Sequence, residues 1–158
     1  MNKWGLVRGI TGRMIAWGVL GGVALGVIYV LLLFFFTGSN ATLVIYVALV
    51  GSLFGGFMGL VLGLLDGLVL TAIALFMLPR RPSRRTFRAI VYLVSALLTA
   101  SGALYAFSEI AASFRLVNSG GLLFAVLPTL IAVVLALLAA SRVAAWVERN
   151  TELGARPE

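Results

Sequence analysis

The side chains that could carry acid–base or metal chemistry are few in this chain. It has no His and no Cys, and three of its five acidic residues, Glu148, Glu152 and Glu158, lie in the last eleven positions. The usual general base near neutral pH, thiolate nucleophiles and zinc–thiolate sites are therefore excluded. Scarce carboxylates make a paired-acid hydrolase site hard to assemble, and no phosphate-binding loop or G-x-S-x-G elbow occurs. We expect no catalytic residues, no metal site and no cofactor, and a protein that is not an enzyme.

The composition of the chain indicates that its solvent is lipid. Of its 158 residues, 62% are apolar and 11% are charged, and 18 glycines add to the apolar share. A water-soluble domain of this size leaves too much surface wet to hide so many apolar side chains. Isolated strands cannot satisfy their backbone groups in lipid, so the spans must be helices. The sequence predicts an all-α integral membrane protein.

Four apolar stretches are each long enough to cross the ~30 Å hydrocarbon core of a bilayer. They cover about 14–36, 41–78, 89–108 and 121–146. We expect one four-helix transmembrane domain over 1–147 and a polar cytoplasmic tail over 148–158. Ahead of the first stretch, apolar Leu6 and Ile10 alternate with basic residues, which predicts a brief interfacial helix.

The second stretch is unusually long for one membrane span. As a straight helix, residues 41–78 would measure ~57 Å, and fitting them into hydrocarbon would need more tilt than the observed ~0–40°. We therefore expect this helix to bend or break. The Gly55-Gly56 pair and the Asp66-Gly67 pair are its weak points.

The basic residues predict the orientation of the spans. Eleven of the twelve Lys and Arg residues lie in the N-terminal arm, the 80–88 connection and the C-terminal segment, and only Arg115 lies in the other connections. The positive-inside rule then favours a multi-pass protein of the cell membrane with both termini cytoplasmic. Folding 41–78 into a hairpin, the five-span alternative, would place eight basic residues inside and four outside. Because the net charge of +7 is explained by topology, we expect no nucleic-acid partner.

Glycines recur at every fourth position in the first two spans. Such small-xxx-small spacing, or glycine zipper, lets helix backbones approach closely. The favoured interpretation is packing of these two spans against each other, and the alternative is self-association or docking to another membrane subunit. The helix-packing positions are Gly18, Gly22, Gly26, Gly51, Gly55, Gly59, Gly63 and Gly67.

Asp66 is the one acidic residue in the middle of an apolar stretch. A charged carboxylate in hydrocarbon costs several kcal/mol, so it faces protein, pairs or stays protonated. If Arg80 marks the cytoplasmic boundary of the second span, Asp66 lies ~21 Å from that boundary. Residues 26–29, 102–105 and 128–129 of the other spans are predicted at the same distance from it. The site is interpreted as structural hydrogen bonding across helices, as a proton or cation site, or as a contact with a subunit or ligand. The candidate intramembrane polar site consists of Asp66, Tyr29, Thr99, Tyr105 and Thr129.

The connection between the second and third spans is rich in arginine. Besides anchoring the topology, these side chains attract anionic lipid headgroups, at about 1 kcal/mol per basic residue. The candidate headgroup-binding residues are Arg80, Arg81, Arg84, Arg85 and Arg88.

Three functions remain open from the sequence. The leading interpretation is a non-catalytic polytopic protein, a helix-packing or accessory subunit of a membrane complex that acts through its glycine faces. The second is a small proton- or cation-coupled transporter or channel that uses Asp66, and the third is a lipid-interacting membrane protein or enzyme. The expected partners are the lipid bilayer, anionic lipids, and a membrane-protein partner or a second copy of the chain.

Reporter fusions test the predicted orientation. Fusions at the N-terminus, within 80–88 and after residue 150 should all report the cytoplasm, because segments dense in basic residues resist translocation. A fusion beside Arg115 should report the opposite side. Finding residues 80–88 across the membrane from either terminus would contradict the predicted topology.

Overall fold

The computed structural model of the chain is all-helical over the residues that it describes. These are 3–37, 41–80, 83–113 and 121–151, with side chains over 4–31, 45–80, 83–109 and 125–151. The helices are α1 (Lys3–Thr37), α2 (Ala41–Met77), α3 (Arg84–Ser113) and α4 (Gly121–Asn150), with a 3₁₀ turn (Leu78–Arg80) after α2.

All four helices are long and apolar enough to cross a membrane. The candidate spans are Trp4–Leu31, Ile45–Arg80, Arg84–Glu109 and Ala125–Asn150. The predicted all-helical fold with four such helices is confirmed to this extent, and the five-span hairpin is not found because α2 is a single helix.

The helix bounds differ from the predicted spans at the first, third and fourth helices. α3 covers Arg84–Ser113 rather than about 89–108. α1 begins at Lys3 rather than near residue 14, so it has 35 residues and is nearly as long as α2, with 37. At a rise of ~1.5 Å per residue, both helices are more than about 50 Å long. The backbone of α2 is helical through the Gly55-Gly56 pair, and a bend in it stays a prediction. α4 continues to Asn150, so Glu148 lies in a helix and not in a polar tail.

The helices α1 and α2 form an antiparallel hairpin along a seam of glycines. A Cβ atom placed on Gly22 would overlap the carbonyl oxygen of Gly55, and one on Gly26 would overlap that of Gly51. The two backbones are thus in direct contact, which favours dispersion and Cα–H···O interactions. We call this contact the glycine seam; it consists of Gly18, Gly22, Gly26, Gly51, Gly55, Gly59 and Gly63.

The α1–α2 and α3–α4 hairpins meet most closely where α1 begins and α4 ends, which we call the basic end. The basal core there takes residues from every helix: Leu6, Ile10, Met14, Leu70, Ala74, Phe87, Val91, Ala139, Ala140, Val143, Ala144 and Val147. Leu6 and Ile10 are 4% and 1% exposed. The segment predicted as an interfacial helix is therefore the start of α1, with two of its apolar side chains in the core.

An aromatic contact also joins α1 to α4 at the basic end. The Trp146 ring lies so close to Gly9 that a Cβ there would overlap it. The Arg13 guanidinium lies over the same ring, 4.2 Å from its centroid. Because Gly9 has no side chain, the Trp146 ring can pack against α1, and the Arg13 cation–π contact further stabilises this packing of α4 on α1.

Substitution at the glycine seam tests whether backbone contact stabilises the hairpin. Gly22→Ala should lower the free energy of unfolding by about 1–3 kcal/mol, because its methyl group would overlap backbone that cannot move freely. Thermal unfolding in mild detergent measures the effect. Gly12→Ala is the matched control, since its added methyl meets nothing within 4 Å. Equal stability of the two variants would contradict the structural role of the seam.

Candidate functional site

An apolar cleft lies between the α1–α2 hairpin and the α3–α4 hairpin. Its volume is about 340 Å³, and residues of all four helices line it. We call it the inter-hairpin cleft. Besides the indole of Trp17, the polar side chains among its described lining residues are Asp66, Thr99 and Tyr29. The cleft is therefore a hydrophobic space with a few polar groups, which is the usual make-up of a small-molecule site.

Small side chains keep the cleft open. Ala103 of α3 and Ala136 of α4 line it where longer side chains would occupy the space. Met14 and Ala139 belong both to the lining and to the basal core, so the core closes one end.

The side of the cleft along α2 reaches the outer surface of the bundle. Val50 and Phe54 line this side and are 54% and 49% exposed. Leu53, next to them, is 74% exposed and belongs to the apolar outer surface. In a bilayer this surface contacts lipid chains, so the cleft is accessible from the hydrocarbon.

The carboxyl group of Asp66 lies at the basal-core end of the cleft. Asp66 is 3% exposed, and the Ser95 hydroxyl donates a hydrogen bond of 3.1 Å to its Oδ1 atom. Among the described residues no Lys or Arg lines the cleft. Among the described residues, the carboxyl group thus has a hydroxyl partner and no cationic partner in the cleft.

The height of Asp66 in the bundle differs from the prediction. Its neighbour Gly67 faces Thr11 and Met14, and the Thr11 and Thr71 hydroxyl oxygens are 3.2 Å apart. Asp66 is therefore level with about residues 11–14 of α1 and not with residues 26–29.

The error came from counting height from the last basic residue of each span. In α1 the apolar Leu6 and Ile10 stand between basic residues, and both pack in the basal core. This packing displaces α1 away from the basic end by about four turns relative to the predicted register.

The cleft brings together three of the five residues predicted to form the polar site, namely Asp66, Thr99 and Tyr29. Tyr29 is fifteen residues beyond Met14 in α1, which separates it from the level of Asp66 by ~22 Å. Its ring packs on Phe107 with centroids 5.4 Å apart, and its buried hydroxyl has no hydrogen-bond partner in the described part of the chain. The cleft is thus elongated, with polar groups near both ends.

Tyr105 and Thr129 do not join this group. Tyr105 is 71% exposed on the outside of α3. The Thr129 hydroxyl donates a hydrogen bond of 2.7 Å to the Ala125 carbonyl oxygen of its own helix. Neither residue lines the cleft.

Ser95 is the site residue that the predicted set omitted. It lies on the polar and small-residue face of α3, three or four residues apart from Tyr92 and Thr99. The sequence shows this face of α3, but the wrong height for Asp66 pointed to residues 102–105, about two to three turns further along.

The predicted headgroup-binding arginines have different environments. The Arg80 guanidinium lies over the Phe76 ring, 3.7 Å from its centroid, and Arg85 is exposed. Arg84 is partly buried, and Arg81 lies outside the described residues. Arg88 forms an ion pair with Glu148 within the bundle.

Arg88 and Glu148 form a bidentate ion pair between α3 and α4. Arg88 Nε donates to Oε1 at 2.7 Å and Nη2 donates to Oε2 at 2.6 Å. The Glu148 side chain is 8% exposed, and that of Arg88 is 47% exposed. Sequence reasoning missed this pair because both residues adjoin polar segments. One sequence feature could have indicated the pair. Arg88 directly follows the apolar Phe87, and Glu148 directly follows the apolar Val147.

Comparison with protein-family models, with curated proteins and with solved structures finds no match to this chain. The described residues contain no group of three or more His, Cys, Asp or Glu side chains placed to hold a metal ion. The fold and the site therefore define the protein as a chain of four membrane-type helices with an apolar cleft and one buried carboxyl group in it.

The ion pair makes a prediction about stability. Glu148→Gln should lower the free energy of unfolding by about 1–2 kcal/mol, because a charge-assisted bidentate contact is lost while half-exposed Arg88 regains water. Combining it with Arg88→Gln in a double-mutant cycle measures the coupling between the two side chains. Arg85→Gln, at an exposed position of the same helix, is the control and should change stability little. Additive effects of the two substitutions would show that the pair contributes nothing.

Proposed function

We propose that this chain is a non-catalytic multi-pass protein of the cell membrane that binds an apolar small molecule or lipid chain in the inter-hairpin cleft. The observation that carries the proposal is the cleft itself, about 340 Å³ in volume and lined by all four helices. This volume falls in the range of roughly 300–1,000 Å³ found for small-molecule sites.

The shape and position of the cleft support a ligand that arrives from the bilayer. Its length of ~20 Å, from Met14 to Tyr29, suits a slender molecule such as an acyl chain. The exposed Val50 and Phe54 provide an apolar route from the lipid-facing surface. An apolar molecule already dissolved in lipid enters without crossing water.

The proposal also includes the orientation of the chain in the membrane and the contacts of its arginines with lipid headgroups. The basic end faces the cytoplasm, following the positive-inside rule, and its exposed Arg85 contacts anionic headgroups. A role as accessory subunit, with a membrane-protein partner or a second copy, would need a surface other than the glycine seam. The seam glycines already face each other within one chain.

A second candidate function is proton- or cation-coupled transport. Asp66 favours it, because a carboxyl group at the end of an apolar cleft can exchange a proton for a cation. Binding of a cation at Asp66 is the first step that such a transporter requires.

Filling the cleft tests the proposed function. Diphenylhexatriene, a neutral rod-shaped fluorophore, should bind the protein in phosphatidylcholine nanodiscs and accept energy from Trp17, which lines the cleft. Ala136→Phe should weaken this binding about tenfold or more, because the added ring occupies the ligand's space. Fluorescence titration against empty nanodiscs gives the affinity.

Leu138→Phe is the matched control for this substitution. It adds an aromatic ring to the same helix at a position that is 54% exposed, so binding should persist. Saturable transfer that Ala136→Phe leaves unchanged, or no transfer beyond that expected from partition into lipid, would refute binding in the cleft.

A further inference from the structure

We infer that the inter-hairpin cleft selects lipophilic cations, that is, one positive charge on a slender apolar body, through the Asp66 carboxylate. The inference rests on the proposed function and adds the chemical class of the ligand.

The charge arrangement around Asp66 carries the inference. It is the one acidic residue among the described lining residues, and no Lys or Arg lines the cleft with it. Ser95 of α3 contacts it, and the lining at this end includes Met14 of α1, Thr99 of α3 and Ala139 of α4, none of which is titratable. Among the described lining residues, the other titratable group is Tyr29, at the far end. A negative charge in this apolar space is costly unless a cation accompanies it.

The hydrogen-bonding state of the carboxyl group leaves a place for such a cation. Ser95 bonds to Oδ1, and among the described residues Asp66 has no other hydrogen-bond partner. Because Asp66 lines the cleft while it is 3% exposed, its open side is the cleft. A bound ammonium group would contact the carboxylate in a medium where the attraction is only weakly screened.

Aromatic rings strengthen the preference for a cation with an apolar body. Trp17, Phe54, Phe107 and Tyr29 all line the cleft. Their faces attract onium groups, and they offer flat apolar contact to the rest of the ligand. The Tyr29 hydroxyl, which is buried and has no hydrogen-bond partner among the described residues, is a second polar group near the distal end.

Cation binding at Asp66 has a definite proton balance. When the carboxyl group is protonated before binding, the cation displaces that proton, and one proton leaves to the water for each cation bound. Cation and proton therefore compete for the same oxygen atoms. The affinity for a cation must fall as the pH is lowered, whereas the affinity for a neutral molecule of the same shape must not.

Three fluorophores of one shape test the inference, again in phosphatidylcholine nanodiscs. They are diphenylhexatriene, its cationic trimethylammonium derivative and its anionic propionate derivative. The wild-type protein should bind the cationic form about tenfold or more tightly than the neutral form, and the anionic form most weakly. General attraction to a chain of net charge +7 would give the reverse order for the two ions.

Asp66→Asn should abolish the preference for the cation while the neutral probe still binds. Glu109→Gln is the matched control, since it removes the same charge from a residue that does not line the cleft, and it should keep the preference. If Asp66→Asn fails to fold, the pH dependence of the wild-type protein tests the inference by itself. Lowering the pH should remove the preference of the wild-type protein for the cationic probe over the neutral probe.

The possible failures are distinguishable. Saturable binding of all three probes with equal affinity would overturn the cation site and leave the proposed function standing. Binding of none of them in the cleft would overturn both. A cation preference that survives in Asp66→Asn, or that does not change with pH, would assign the selectivity to another group and overturn the inference.

Discussion

The contact between the backbones of α1 and α2 is the interaction on which the rest of the bundle depends. In hydrocarbon, apolar side chains gain little by leaving lipid for one another, so helices associate through close packing and polar contacts. At Gly22 and Gly55 the packing is so close that even a methyl group would overlap a carbonyl oxygen. The helices α1 and α2 therefore form one closely packed unit, and the α3–α4 hairpin packs against it.

Among the described residues, the buried core that the second hairpin shares with the first lies at the basic end. At the basic end, Phe87 and Val143 join Ile10 and Leu70 in the basal core, and the Arg88–Glu148 pair fastens α3 to α4. Further along, glycines and small side chains such as Ala103 and Ala136 leave the inter-hairpin cleft between the two hairpins. This arrangement gives a packed base, an open cleft and a carboxyl group located where the base and the cleft meet.

The position of Asp66 follows from the same arrangement. A carboxyl group on the outer surface would face lipid, and one within the basal core would need a full set of polar partners. At the boundary it has one hydroxyl partner in Ser95 and an open side toward the cleft. The chemistry proposed for the cleft depends on this location, because the same carboxyl group in water would hold a cation only weakly.

Periodicity and composition were enough to predict the helices, since they depend on each segment alone. Four apolar stretches, glycines at every fourth position and one acidic residue within an apolar run can be read directly from the sequence. The relative heights of the helices could not be predicted in this way. Leu6 and Ile10 looked like an interfacial segment because their neighbours are basic, and Glu148 looked like part of a tail.

The sequence by itself determined that the chain is built of four long apolar helices, because local hydrophobicity and backbone hydrogen bonding decide this without reference to other segments. Only the tertiary structure decided which residues meet. Sliding one helix along another by a few turns changes every pair, and the slide is set by packing summed over the whole basal core. For this reason Ser95, rather than Tyr105 or Thr129, shares the site with Asp66.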